Sequence, residues 1–180
     1  EIFLYNLCDF SLSVAFVHVA NLLFLFEICF GYHILKQNNL HQPSKYYFMK
    51  IEHLGIAVHS LETSDHLFAR LLGKESYKKE SVEREGVTTS FYQIGESKIE
   101  LLEATNPESP ISKFISKKGE GIHHIAFGVE NIQEEIERLK KEGFQFISEE
   151  PKDGADNKLV VFLHPKSTNG VLVELCQEKP

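Results

Sequence analysis

The chain has 180 residues, which is enough for one domain with a substantial core. Its 42% hydrophobic and 25% charged residues are typical of a globular protein, and a net charge of −7 argues against a nucleic-acid-binding protein, which would need a basic face. The 3 cysteines form no closely spaced pair, which indicates a reducing compartment and argues against a disulfide framework.

The N-terminal part of the chain differs in character from the rest. Residues 11–30 are mostly apolar, and a run of about 20 such residues is long enough to cross a membrane. However, Glu27 interrupts the run, and the basic residues expected beside a membrane span or in a signal peptide are missing. The sole methionine, Met49, comes just before the periodic sequence begins. We therefore expect residues 1–48 to be a non-native or unassigned apolar extension, and residues 49–180 to be a single domain.

A first module is predicted over residues 49–105. It begins with the alternating run KIEHLGIAV, which predicts a strand. Ser60 is a suitable N-cap for the helix that follows, and Gly73 is a suitable end. The runs ESYKKESV, VTTSFYQI and SKIELLEA predict three more strands, separated by glycine-containing turns. The apolar residues expected on the buried side of the helix are Leu61, Leu67, Phe68, Leu71 and Leu72.

A linker over residues 106–120, with one or two helical turns expected at 110–117, leads to a second module over residues 121–180. This module repeats the order of the first: GIHHIAFGV predicts a strand, and NIQEEIERLKKEG predicts a helix capped by Asn131. FQFISE, KLVVFLHP and GVLVELCQ predict three further strands. The residues expected to form the buried stripe of the helix are Ile132, Ile136 and Leu139.

The two modules also match residue by residue. When His124 is placed under His53, the apolar residues around them coincide, and Glu100 and Glu174 occupy equivalent places in the last strand of each module. Self-similarity of this kind is typical of a chain built from two copies of one unit. We therefore predict an α+β fold in which two tandem βαβββ modules form a curved, barrel-like mixed sheet around a metal site, with the helices outside.

The metal is predicted because two histidines and two glutamates recur at equivalent places. A carboxylate inside a curved sheet is costly unless it is paired or binds a cation, and imidazole with carboxylate suits Co²⁺, Mn²⁺, Ni²⁺, Fe²⁺ or Zn²⁺. A single strand histidine is more often an ordinary core or surface residue. His123, whose counterpart is Glu52, is expected to face away from the site as a structural or supporting residue, and His59 and His66 are expected at the surface.

Several segments together resemble the methylmalonyl-CoA epimerase family of the vicinal-oxygen-chelate superfamily. They are IEHLGIAV, IELLEAT, ESPISKFI, GIHHIAFGV and VFLHPKSTNGVLVEL, and the similarity extends over residues 49–177. HHIAF alone would mark only the superfamily, whereas HPKSTNGVLVEL is more specific. The resemblance implies His53, His124 and Glu174 as metal ligands, with Glu100 as the fourth. It favours Co²⁺, with Mn²⁺, Ni²⁺ or Zn²⁺ as alternatives.

The resemblance also implies a reaction: the (R) and (S) forms of methylmalonyl-CoA interconvert by exchange of the C2 proton through a metal-stabilised enolate. Glu174 and Glu100 are the candidates for moving that proton. The glutamate proposed as acid or base in some family members does not transfer cleanly, because Thr89 stands nearest to its position. The candidate substrate-binding residues are Thr89, His164, Lys166 and Ser167.

The resemblance further implies an acyl-CoA thioester substrate and a homodimer, in the cytoplasm or, in a eukaryote, in the mitochondrial matrix. No membrane contact is expected of residues 49–180. Three other functions remain open: a lactoylglutathione lyase-like isomerase, a ring-cleaving dioxygenase with an iron triad, and a metal-free small-molecule-binding module. The loop HPKSTNGVLVEL argues against the lyase, four predicted ligands argue against the dioxygenase, and an intact ligand set argues against the metal-free module.

Overall fold

The computed structural model describes residues 49–180, so the extension expected at residues 1–48 lies outside the described residues. The described helices are α1 (Leu61–Leu72), α2 (Pro110–Lys118) and α3 (Ile132–Lys141). The strands are β1 (Lys50–Val58), β2 (Lys78–Val82), β3 (Val87–Ile94), β4 (Ser97–Ala104), β5 (Gly121–Gly128), β6 (Lys152–Asp153), β7 (Lys158–Leu163) and β8 (Val173–Glu178). None of these helices has the length and apolar character needed to span a membrane.

The strands form one curled mixed sheet in the order β2-β3-β4-β1-β5-β8-β7-β6. Within each module the first strand runs parallel to the last, since β1 pairs with β4 and β5 pairs with β8. The two modules meet at the centre of the sheet, where β1 and β5 pair antiparallel. The predicted architecture of two βαβββ modules in one curved sheet is therefore confirmed.

Strand alternation separates an outer apolar face from an inner cavity. On the outer face, Ile136 of α3 belongs to one buried cluster with Val161 of β7 and Leu175 of β8. Their sequence neighbours Val160 and Glu174 line the cavity instead. Helices α1 and α3 thus cover the outside, as predicted. The linker helix α2, which the sequence also predicted, differs in that it contributes to the cavity wall.

The two outer helices are capped as predicted but are anchored differently. The side chains of Ser60 and Asn131 accept hydrogen bonds from the first turns of α1 and α3. The expected stripe of α3 is buried, whereas the expectation for α1 is wrong for Leu67 and Leu71, which are 55% and 71% exposed. Asp65 occupies the buried side of α1 because Ser90 and Tyr92 of β3 both donate hydrogen bonds to its carboxylate.

The strand predicted at FQFISE, residues 144–149, is also wrong. Only Phe146 forms a bridge, to Leu163 of β7. A backbone hydrogen bond from Ile147 to Phe162 continues the contact, but Ser148 then turns the chain by accepting a bond from a nearby backbone N–H group. The outer strand of the second module is instead the short β6.

Candidate metal centre

The four central strands each carry one of the predicted ligands. Glu100 lies on β4, His53 on β1, His124 on β5 and Glu174 on β8, and all four are buried. Strand pairing aligns them in two rows: Glu100, Gly55 and His124 in one, and His53, Ala126 and Glu174 in the other. Each row has a small residue in its middle, so the ligand side chains converge above the centre of the sheet.

The side chains of this four-ligand cluster meet at short range. His53 Nε2 lies 2.9 Å from His124 Nε2 and 3.2 Å from a carboxylate oxygen of Glu100. His124 Nε2 lies 3.6 Å from the same Glu100 oxygen and 3.4 Å from an oxygen of Glu174. Adjacent ligands placed about 2.1 Å from an octahedral ion would be about 3 Å apart, so these residues fit a single divalent cation.

Gly55 makes this approach possible. The ring of His124 lies so close to β1 that a Cβ atom added to Gly55 would be 2.2 Å from Cε1 of His124. When the two modules are aligned on their ligand histidines, Gly55 corresponds to Ala126. The sequence alone does not explain why the two residues differ. The structure supplies that reason, because His124 occupies the space of the missing side chain.

The cluster lies in a cavity of about 240 Å³ whose walls are largely apolar. Phe91, Leu102, Val160 and Phe162 contribute to these walls. Acidic residues outnumber basic ones around the cavity, which favours a cation inside it. Among the described residues, the acidic lining groups are Glu52, Glu85, Glu100, Asp153, Asp156 and Glu174, and the basic ones besides histidine are Lys98, Lys152 and Lys158.

Burial and mutual contact shift the protonation of the cluster. Burial acts to lower the pKa of His53, but hydrogen bonds to Glu100 and Glu52 outweigh it and raise the pKa to about 10. Burial raises the pKa of Glu174 to about 8. Burial and the nearby charge of His53 hold the pKa of His124 well below its usual range. The shifts of Glu174 and His124 thus reflect withdrawal from water, and that of His53 reflects its carboxylate neighbours, beside which a bound cation would supply positive charge.

Two residues that were not among the predicted ligands or substrate-binding residues also reach the site. Glu52 and His123 both line the cavity, although His123 was expected to face away from it and Glu52 was noted only as the counterpart of His123. Each is skipped in the pairing of β1 with β5, at a register shift. The resulting bulges interrupt the two-residue alternation of side chains. The prediction that the His123 side chain faces away from the cavity is wrong for that reason.

The predicted substrate-binding residues fall in two places. Thr89 is fully buried and lines the cavity. His164, Lys166 and Ser167 lie instead on the turn after β7, outside the set of cavity-lining residues. There the ring of His164 accepts a hydrogen bond from the backbone N–H group of Lys166. Lys166 is exposed. The expected surface residues His59 and His66 are both exposed.

Comparisons with known proteins agree with this fold. Residues 52–162 match the model of the Glyoxalase/Bleomycin resistance protein/Dioxygenase superfamily. The chain is 39% identical to the uncharacterized protein YqjC of Bacillus subtilis, over 72% of this chain and 93% of that protein. It is 40% identical to the mitochondrial methylmalonyl-CoA epimerase of Homo sapiens, over 71% of this chain and 73% of the human protein.

The chain is also similar to a solved structure of a methylmalonyl-CoA epimerase. A variant of Streptomyces coelicolor methylmalonyl-CoA epimerase, in complex with 2-nitronate-propionyl-CoA, superimposes with a TM-score of 0.69 and 34% identity. The match covers 72% of this chain and 94% of the Streptomyces chain. The similarity therefore includes nearly the whole of that enzyme.

Proposed function

This chain belongs to the Glyoxalase/Bleomycin resistance protein/Dioxygenase superfamily and is related to its methylmalonyl-CoA epimerases, and from that premise we propose that it is an isomerase that epimerises methylmalonyl-CoA at C2 with a divalent metal ion. The observation that carries the proposal is the meeting of two imidazoles and two carboxylates, one from each central strand, inside one cavity. A ring-cleaving enzyme with an iron triad would require three ligands rather than four.

We assign His53, Glu100, His124 and Glu174 as the metal ligands. Donor atoms of His53, His124 and Glu174 lie within 4.8 Å of one another, and an oxygen of Glu100 lies 3.2 Å and 3.6 Å from the two histidine nitrogens. Shared by one octahedral ion, the four would leave two positions for substrate oxygens. Two nitrogen and two oxygen ligands suit Co²⁺, with Mn²⁺, Ni²⁺ and Zn²⁺ as alternatives. A bound dication would supply Lewis-acid stabilisation of the negative charge that develops on the thioester oxygen when the C2 proton leaves.

Proton transfer is assigned to Glu174 and Glu100. They lie on β8 and β4, so the two carboxylates flank the histidine pair from opposite sides. Epimerisation removes the proton from one face of C2 and returns a proton on the opposite face, and two groups on opposite sides of the substrate would divide these steps. The position of the two glutamates supports that division of roles.

Binding of the acyl group is assigned to the cavity, where the apolar wall suits the methyl branch and Thr89 offers a hydroxyl group. The turn with His164, Ser167 and the exposed Lys166 is proposed to contact the CoA portion outside the cavity. We also propose a homodimer, a cytoplasmic or mitochondrial location, and a domain that comprises residues 49–180. A chain that starts at Met49 is accordingly expected to fold and to retain activity.

Deuterium exchange tests the activity. The purified full chain is incubated with Co²⁺ and methylmalonyl-CoA in deuterated water, and deuterium at C2 is measured by mass spectrometry. Deuterium is expected to enter C2, and a chelator or His124→Ala should abolish its entry, whereas His66→Ala at an exposed position should not change it. Absence of exchange by the metal-loaded protein would refute the proposal. Turnover of the glutathione hemithioacetal in its place would assign a lactoylglutathione lyase-like activity.

A further inference from the structure

The bulges in β1 and β5 place one additional side chain beside each ligand histidine. In β1 the skipped residue is Glu52, directly before His53, and in β5 it is His123, directly before His124. Bulges recur next to active sites, where they redirect a side chain. The two modules therefore repeat a pair of adjacent residues in which the second is the ligand and the first is turned toward it.

In the first module this neighbour is a carboxylate that contacts the far side of the ligand ring. An oxygen of Glu52 is hydrogen-bonded to Nδ1 of His53. Nε2 of the same ring faces the cluster, 2.9 Å from Nε2 of His124 and 3.2 Å from Glu100. A proton on Nδ1 leaves the lone pair of Nε2 available for a metal, and a carboxylate that accepts that proton fixes the ring and raises its basicity.

Two lysines hold Glu52 in this place. Its second oxygen forms an ion pair with Lys98 of β4 and lies 3.3 Å from the ammonium group of Lys158 on β7. Glu52, Lys98 and Lys158 are all nearly buried, with side chains 7%, 12% and 7% exposed. A buried carboxylate with a charged partner on each module has little freedom to move away from the ring.

The second module lacks this support. Nδ1 of His124 lies 3.0 Å from Nδ1 of His123, whose ring stands edge-on to that of His124. An imidazole in this place carries no fixed negative charge, unlike the carboxylate of Glu52 beside His53. The two ligand histidines are therefore oriented by groups of different chemistry.

We propose that Glu52 is a positioning residue that holds His53 as an Nδ1–H tautomer with Nε2 directed at the metal. The inference rests on the proposed metal site, but it can fail independently of that site. Loss of such a carboxylate partner typically weakens metal binding by about 10–100-fold.

Metal affinity and spectroscopy test this role in the full chain. Glu52→Ala is expected to raise the Kd for Co²⁺ about 10–100-fold, measured by competition with a chelator, and to alter the visible spectrum of bound Co²⁺. Glu52→Gln, which retains an acceptor oxygen but no charge, should fall between Glu52→Ala and the wild-type protein. Glu178→Gln is the matched control, because Glu178 pairs with Lys158 but lies away from His53.

The unaltered protein provides a second test that does not depend on the folding of a variant. In the Zn²⁺-loaded protein, nitrogen NMR is expected to show a proton on Nδ1 of His53 and the metal on Nε2. Ligation through Nδ1, or a Glu52→Ala protein with wild-type affinity and spectrum, would overturn the positioning role. A wild-type protein that binds no metal would instead refute the metal site of the proposed function.

Discussion

In the first module β1 carries Gly55 at the place where β5 of the second module carries Ala126, and the two ligand histidines are accommodated differently for that reason. His124 lies over Gly55, and a Cβ atom there would come within 2.2 Å of its ring. His53 pairs with Ala126, whose methyl group is fully buried beside it. The two modules thus contribute equivalent ligand residues to the site, but the backbone and the neighbouring residues around those ligands differ between them.

The outer helices differ in the same way. Asp65 of α1 and Ile136 of α3 occupy equivalent positions, five residues after the caps Ser60 and Asn131. Asp65 accepts hydrogen bonds from β3 and pairs with Lys79, 2.6 Å away, whereas Ile136 packs in an apolar cluster. Both helices pack through apolar clusters, but at this equivalent position α1 is attached by a buried charge and α3 by an apolar side chain.

Gly55→Ala should have the largest effect on the site. The backbone of Gly55 does not require glycine, so the consequence comes from the added methyl group, which would displace the ring of His124. We expect Co²⁺ affinity and C2 exchange to fall about 100-fold or more, because small displacements of a reacting group have effects of that order. Ala126→Gly is the matched control, with a reduction of less than about 10-fold expected. Equal effects of the two substitutions would contradict the difference between the modules.

Ile136→Ala should have the largest effect on stability. The side chain is 1% exposed, and its truncation leaves a cavity between α3 and the sheet. We expect the free energy of unfolding to fall by about 2–5 kcal/mol, measured with urea. The penalty should be nearly the same at pH 7 and pH 3, since no titrating group is lost. A cost below about 1 kcal/mol would show that the cluster collapses around the smaller residue.

Asp65→Asn should cost less and should depend on pH. Burial raises the pKa of Asp65, but hydrogen bonds from Lys79, Ser90 and Tyr92 outweigh it and hold the pKa below the usual 3.8. The unfolded chain therefore takes up the proton first, and the stabilisation by Asp65 is complete above pH 3.8 and is lost as the pH falls through the lower folded value.

The expected cost of Asp65→Asn at pH 7 is about 1–3 kcal/mol, because the asparagine retains an acceptor oxygen but loses the charge. The difference from wild type should shrink in urea titrations between pH 4 and pH 2. A pH-independent difference would mean that the carboxylate acts only through its shape, as Ile136 does.

Asp156→Asn tests an ionic contact between the two modules. Asp156, on the loop before β7, lies 2.6 Å from Lys98 and 3.1 Å from Lys78 of the first module. Its φ of 53° is well tolerated by asparagine, so the substitution removes the charge alone. We expect a loss of about 1 kcal/mol that declines in 1 M salt. A loss that salt does not change would argue against an electrostatic contact.

Lys166→Ala should have the smallest effect. Because this residue is exposed and lies outside the cavity lining, its proposed contact is with the CoA portion rather than the acyl group. We expect about a 2–5-fold increase in KM for methylmalonyl-CoA, in line with a partly exposed charge contact, and no change in kcat. A thioester without the nucleotide should show no increase. An equal increase for both substrates would argue against a contact with the nucleotide.

The repeat made much of the fold predictable from the sequence. Alternating apolar residues located the strands, and the matched histidines and glutamates indicated residues that the structure brings together. The orientation of Glu52 and His123 was not predictable, because a bulge depends on pairing with a distant strand. When the two-residue alternation of a strand is continued past a bulge, it assigns the side chain to the wrong face of the sheet.

The errors in the helix and in the last outer strand have similar causes. The buried side of α1 includes Asp65 because β3 supplies its hydrogen-bond donors, and apolar spacing cannot reveal a partner on another element. FQFISE is apolar and alternating, but contact with β7 ends where Ser148 turns the chain. Tertiary contacts decided both cases.

Diffraction at the cobalt absorption edge, from crystals grown with Co²⁺, tests the central claim most directly. Convergence of the two modules on one ion predicts a single strong anomalous peak about 2.0–2.2 Å from Nε2 of His53, Nε2 of His124 and one oxygen each of Glu100 and Glu174. A peak bound by residues of only one module, or located outside the cavity, would contradict it.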